Sequence, residues 1–167
     1  FYDAMGRITG STSPEGAVSY TYDANGNVLS VTDSHGTITR TYDALNRVTS
    51  YTDTYGKIIR YKYDAVGNLS RLIYPDNTAV TYAYDENNNL LAQTEYDSDN
   101  KIFSRQIYGY DKQGNKISYT LINNLGTVSQ QNDYFYTDGI LTKEISFMDL
   151  SQPFFSHSLT IALIPLR

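Results

Sequence analysis

A chain of 167 residues, 40% hydrophobic and 19% charged, is long enough for a sizeable core and too apolar for wholesale disorder. Its net charge is -5, and its lysines and arginines are scattered singly, which leaves no basic footprint for nucleic acid. There is no cysteine, which excludes a disulfide framework, thiol chemistry and any Cys-based metal site.

Tyrosine is the outlier, at 17 residues against 6 Phe and no Trp. Its ring suits a pleated, half-buried surface while its hydroxyl reaches water or a partner, so the composition points to β structure. The tyrosines are ordered. Tyr2-Asp3-Ala4-Met5-Gly6-Arg7 returns as Tyr22-Asp23-Ala24-Asn25-Gly26-Asn27, Tyr42-Asp43-Ala44-Leu45-Asn46-Arg47 and Tyr63-Asp64-Ala65-Val66-Gly67-Asn68. It loosens to Tyr84-Asp85-Glu86-Asn87-Asn88-Asn89 and Tyr110-Asp111-Lys112-Gln113-Gly114-Asn115, with an eroded copy at Tyr136-Thr137-Asp138-Gly139. The tyrosines lie 20, 20, 21, 21, 26 and 26 residues apart, a period that marks a repeat array.

The chain opens inside a repeat, at Phe1-Tyr2-Asp3, without an initiator Met or a leader, and reads as a fragment or processed piece. From Gly16, one period spells out the unit. Ala17 to Asp23 is a strand with Val18, Tyr20 and Tyr22 on one face and Ser19 and Thr21 on the other. Ala24-Asn25-Gly26 is a tight hairpin turn, and Asn27 to Asp33 is the return strand with Val28, Leu29 and Val31. Ser34-His35-Gly36 turns the chain again.

Ile38/Arg40/Tyr42, Ile59/Tyr61/Tyr63 and Val80/Tyr82/Tyr84 repeat the face of Val18/Tyr20/Tyr22. A slip of one residue would turn the whole set outward, so the register is strongly specified. The second turns, Ser13 to Gly16, Asp33 to Gly36, Asp53 to Gly56 and Tyr74 to Asn77, open with Asp, Ser or Tyr-Pro and close with Gly or Asn. Such short loops favour antiparallel neighbours. The pattern predicts an all-β, antiparallel meander of about a dozen strands, each roughly six residues and about 20 Å long. Sheet twist is expected to curl it into a ribbon or partial β-shell.

Past Tyr84 the period stretches, and Glu95 to Lys101 and Leu121 to Asp133 read as longer polar loops. The array is expected to occupy residues 1–146. The remaining 147–167, with Pro153-Phe154-Phe155 and the run Leu159 to Leu166, carries no Tyr-Asp phrase. That run is too short for a membrane span. Two readings of the tail stand open: an extra strand covering an edge, or a non-native end.

The repeated phrase resembles the Rhs/YD-repeat family, whose pattern is Tyr-Asp, two residues, Gly, then Arg or Asn and an aliphatic residue. Tyr2 to Ile8, Tyr22 to Val28 and Tyr63 to Leu69 fit it, and Tyr42 to Val48 fits with Asn46 in place of the Gly. The resemblance covers roughly residues 1–145. It implies a segment of a β-shell of the kind found in Rhs polymorphic toxins, wall-associated proteins, insecticidal toxin-complex B and C components and teneurins. It implies partners in the remaining repeats of the shell and in an enclosed effector polypeptide, and a secreted or surface location in bacteria. The family's closing Asp-Pro motif is absent, so no catalytic residue carries over, and no effector domain is recognisable after residue 146.

Against this stand more specific chemistries. Asp23, Asn25 and Asn27 resemble the start of a calcium loop, but the copies put Leu45, Arg47 and Val66 at those positions. The acids are therefore expected to organise Asx turns, with no metal and no cofactor. The Tyr rows could stack on surface glycans, but their register with Val18, Ile59 and Val80 favours cross-strand packing. His35 and His157 are isolated, Asp97 and Asp99 sit in a polar loop, and no nucleophile or phosphate-loop motif occurs, so no enzymatic activity is expected. Alternatives to the shell segment are an extracellular carbohydrate- or protein-binding module and an orphan remnant of a larger Rhs protein. Open end strands predict self-association.

Overall fold

A computed structural model describes residues 1–148 and 158–163 of the chain, which contain strands and turns and no helix. Consequently none of them forms a helix long and apolar enough to cross a membrane. The strands are β1 (Gly10–Ser13), β2 (Gly16–Tyr22), β3 (Val28–Asp33), β4 (Gly36–Tyr42), β5 (Val48–Thr52), β6 (Ile58–Tyr63) and β7 (Leu69–Ile73). They continue as β8 (Ala79–Tyr84), β9 (Leu90–Tyr96), β10 (Ile102–Tyr110), β11 (Lys116–Asn123), β12 (Val128–Thr137), β13 (Ile140–Met148) and β14 (Ser158–Leu163). Sheet order equals chain order, so the fold is the expected antiparallel meander, and it is not closed into a barrel. By contacts the chain divides into one unit of residues 1–62 and 72–76 and a second of 63–71 and 77–167.

In the first unit the period-two pattern becomes two unlike faces. Tyr20 stands opposite Val31, and Val31 opposite Ile38, while Arg40 pairs Tyr51 and Tyr51 pairs Ile59. On the other face Thr21 meets Ser30, Ser30 meets Thr39, and Thr39 meets Thr52. Along β2, Val18, Tyr20 and Tyr22 are half-buried while Ser19 and Thr21 are exposed, which is the alternation the sequence predicts. The hydroxyl face ties itself together across strands, with Thr21 to Ser30 at 2.6 Å, Thr32 to Thr37 at 2.8 Å and Thr41 to Ser50 at 2.6 Å. With one layer of sheet, the aromatic face packs only sideways, on its strand neighbours.

The turns fall into two kinds. Asp33 pairs with Gly36 across the two-residue turn Ser34-His35, as Ser13 pairs with Gly16. All the Tyr-Asp corners up to Asp111, and the turn at Asp53, are wider: the amide of the fourth residue donates to the Asp carbonyl, and the Asp amide donates to the fifth residue's carbonyl. This is a three-residue hairpin loop with a positive-φ residue at its end and a bulge beside it. The bulge follows Thr21 and Thr41, where the pairing shifts by one residue. Only that end position takes positive φ: Gly6, Gly26 and Gly67 do so, and Asn46 (61°) and Asn88 (65°) do so without glycine. Asn25, beside Gly26 in the same turn, does not.

The second unit corrects one expectation. Glu95 to Lys101 and Leu121 to Asp133 are not long polar loops. Each holds the same compact turn, closed at Asp97–Lys101 and at Asn123–Thr127. Asn123 acts as the turn acid does, its Oδ1 accepting the amides of Leu125 and Thr127. The extra residues of the 26-residue periods lie in the strands, which reach nine residues in β10, eight in β11, ten in β12 and nine in β13. Polar side chains such as Gln130 and Asn132 disguise these strands as loop. The buried apolar side chains among the described residues, Ala79, Val80 and Ala92, lie on β8 and β9 of this unit. In the tail, Ser158–Leu163 pairs along β13, from Lys143 opposite Leu163 to Met148 opposite Ser158. Pro153-Phe154-Phe155, His157 and residues 164–167 lie outside the described residues.

Candidate functional site

The recurring corner is the first candidate. Asp23 Oδ1 accepts the amides of Asn25 (3.0 Å) and Asn27 (2.8 Å), and Oδ2 accepts Asn27 Nδ2 (2.8 Å). Asp3 and Asp43 make the same amide bonds and hold an arginine in place of the Asn, through Arg7 Nε (2.7 Å) and Arg47 Nε (2.8 Å). Asp64, Asp85 and Asp111 repeat the pattern with Asn68, Asn89 and Asn115. Both oxygens of these carboxylates are thus engaged by N–H donors, which stabilises the ionised form. The fifth residue's side chain is the main cause of a lowered pKa at Asp23, Asp43, Asp85 and Asp111, and its amide is the main cause at Asp3. At Asp64 burial pushes upward, but the bonds from Asn68, Gly67 and Val66 outweigh it. The His35 amide does the same for Asp33 in the narrower turn. No three His, Asp or Glu side chains among the described residues come together as metal ligands.

The tyrosines of the phrase have a second task. Tyr22 Oη donates to the Ile8 carbonyl (2.7 Å), and Tyr42 Oη donates to that of Val28 (2.9 Å). In the second unit Tyr84 reaches Leu69 (3.1 Å), Tyr110 reaches Leu90 (3.1 Å) and Tyr136 reaches Lys116 (3.0 Å). The acceptor is always the residue six after the preceding repeated tyrosine. The last copy, eroded in sequence at Asp138-Gly139, keeps this bond intact. A Tyr42→Phe variant should lose about 1 kcal/mol of stability, the usual net contribution of such a bond, measured by urea denaturation. Tyr55→Phe, at an 87% exposed turn tip, should cost nothing measurable.

The asparagines at positive φ also bridge repeats. Asn46 Oδ1 accepts Asn25 Nδ2 (3.0 Å) and Asn27 Nδ2 (2.7 Å), and Asn88 Oδ1 accepts Asn68 Nδ2 (2.8 Å). Asn100 Oδ1 accepts from Arg71 (3.2 Å). Asn in place of Gly therefore does more than tolerate the turn.

A different surface lies on the tyrosine face of β9 to β13. Gln93 pairs with Gln106, Ser104 with Glu95, Tyr108 with Tyr119, and Tyr119 with Asn132. Ser104 Oγ donates to Glu95 (2.9 Å), and Tyr108 Oη donates to Gln106 (2.7 Å). Asn132, 5% exposed, accepts from Gln130 and donates to Glu144 and to Ser146, both at 2.7 Å. The signal was present in the sequence. Four residues before the repeated tyrosine, Val18, Ile38, Ile59 and Val80 give way to Gln106 and Asn132.

The RHS repeat family model matches residues 22–58 and 59–102. Curated protein sequences give no match. Among solved structures the fold resembles TcdB2-TccC3-Cdc42, with a TM-score of 0.59 and 16% identity over 97% of this chain and 11% of that one. It resembles TcdB2-TccC3 without the hypervariable C-terminal region similarly, at 0.57 and 15% over the same shares. The chain thus spans about a tenth of those proteins, and at such identity the likeness is one of fold. The phase of the Tyr-Asp corners, the meander they build and the family match agree: residues 22–102 of this chain are RHS repeats.

Proposed function

We propose that the chain is a structural segment of an Rhs-type β-shell, a wall built of stacked hairpins around an enclosed polypeptide. The observation that carries this reading is the tyrosine bond from each repeat to the backbone of the one before it, seen five times. Such a repeat is completed by its neighbours, as in other quasi-one-dimensional arrays, and the array extends by adding identical joints. The engaged carboxylates and tyrosines serve that joint, so the segment acts by containment and carries no chemistry of its own. Its partners are then the other repeats of a larger shell and the cargo chain, outside the cytoplasm of a bacterium.

Limited proteolysis of the full-length protein that carries this array tests the reading. An enclosed polypeptide should resist protease under native conditions and be cut rapidly once the shell is opened by acid or denaturant. Equal cleavage rates before and after opening would show that nothing is enclosed.

A further inference from the structure

We propose that Asn25 is a site of spontaneous deamidation, held unreactive in the folded array by its side-chain bond to Asn46 of the following corner. The inference stands on the first unit alone and does not rest on the shell reading.

Asn25-Gly26 is the one Asn-Gly pair in the sequence. At the matching place the other corners carry Met5-Gly6, Leu45-Asn46, Val66-Gly67, Asn87-Asn88 and Gln113-Gly114. Glycine has no Cβ to keep its nitrogen from the preceding side chain, and Gly26 stands clear, since even a Cβ there would meet nothing within 4 Å. Asn25 is exposed at the turn, so water and hydroxide reach it. In the reaction the Gly26 nitrogen gives up its proton and attacks Asn25 Cγ. The N–Cγ bond forms, the Cγ–Nδ2 bond breaks, and ammonia leaves with that proton. Water then opens the cyclic imide to Asp or isoaspartate. One water is consumed, one ammonia is released, and nothing is oxidised or reduced.

Three bonds oppose this in the folded corner. The Gly26 amide donates to the Asp23 carbonyl (3.2 Å), the Asn25 amide donates to Asp23 Oδ1 (3.0 Å), and Asn25 Nδ2 donates to Asn46 Oδ1 (3.0 Å). The first occupies the proton that must leave, and the third ties the leaving nitrogen to the next repeat. The first two are local to the turn and recur at other corners, so the joint with Asn46 is what sets this corner's protection. The product does not restore that joint. An Asp at position 25 sets an acceptor against Asn46 Oδ1, and turning the Asn46 amide round to meet it would forfeit the Asn27 bond (2.7 Å). Isoaspartate lengthens the backbone of the turn by a methylene. Deamidation thus records an opening of the joint irreversibly.

The test incubates the chain at mildly alkaline pH, folded and in urea, and reads residue 25 by peptide mapping with mass spectrometry. Residue 25 should convert readily in urea and slowly in the folded chain. Asn46→Gly keeps a residue suited to the positive φ but removes the bond. It should speed conversion of the folded chain about fivefold, the rise in opened fraction expected from losing one such bond. Asn46→Asp retains the acceptor and should stay slow. Asn88→Gly, which cuts the corresponding bond in the second unit, should leave the rate at residue 25 unchanged. No conversion in urea, equal conversion in folded and unfolded chain, a rate indifferent to Asn46→Gly, or equal acceleration by Asn46→Asp or Asn88→Gly would overturn the assignment.

Discussion

Lowering the pH through the aspartate range should unfold this sheet from its corners. Seven turn carboxylates, Asp3, Asp23, Asp33, Asp43, Asp64, Asp85 and Asp111, are held below the ordinary aspartate pKa by the N–H bonds they accept. When a folded-state pKa lies below the unfolded one, the unfolded chain binds more protons as pH falls. The stabilisation is then fully present above about pH 4, the ordinary value, and is lost as pH drops through the depressed values. Stability measured by denaturant at successive pH values should therefore be flat above that range and fall steeply beneath it. Asp43→Asn keeps an oxygen for the Leu45 and Arg47 amides but removes the charge that meets Arg47, so it should flatten part of the slope. Chelator should leave the curve unmoved, because N–H groups occupy the carboxylate oxygens. A stability curve indifferent to acid would mean that the corners do not hold the fold.

Replacing Gly36 by Ala should be among the most damaging single changes, at about 2–4 kcal/mol. Two causes add. Gly36 sits at φ 132°, where a side chain is strained, and a Cβ there would meet Thr54 Cβ at 3.0 Å and its Cγ2 at 3.2 Å. Gly26 is a contrasting case. Its φ of 92° also needs a permissive residue, but a Cβ would meet nothing within 4 Å. Asn already serves that corner at Asn46 and Asn88, so Gly26→Asn should change stability by less than about 0.5 kcal/mol. Urea melts of the two variants decide the matter, and similar losses for both would refute the role given to Thr54.

The strands and corners of the first unit were readable because every local signal agreed. Val18, Tyr20 and Tyr22 alternate with Ser and Thr, and Asp23 and Gly26 supply what the turn requires. The second unit was harder, because sequence polarity separates loop from strand only when a strand has an apolar face. Gln93, Gln106, Gln130 and Asn132 sit on the tyrosine face, where Gln93 and Asn132 donate to glutamates, Gln130 donates to Asn132 and Gln106 accepts from Tyr108, so a strand there looks like a loop. The tyrosine bond was invisible in sequence for another reason. Its acceptor is a main-chain carbonyl, which leaves no mark on the residue that supplies it. The bridging role of Asn46 was hidden in the same way, since its partners lie 19 and 21 residues away.

That main-chain acceptor has a genetic corollary. Ile8, Val28, Leu69, Leu90 and Lys116 all receive a tyrosine hydroxyl, and the bond survives where Lys116 replaces the aliphatic side chain of the other four. The tyrosine bond reads only backbone, so this bond by itself does not restrict which copy sits beside which. Unequal recombination could then delete, duplicate or shuffle whole copies without a compensating substitution for this bond at the new seam. The bond leaves copy number free to drift between generations, and substitutions in the return strands accumulate without penalty to it.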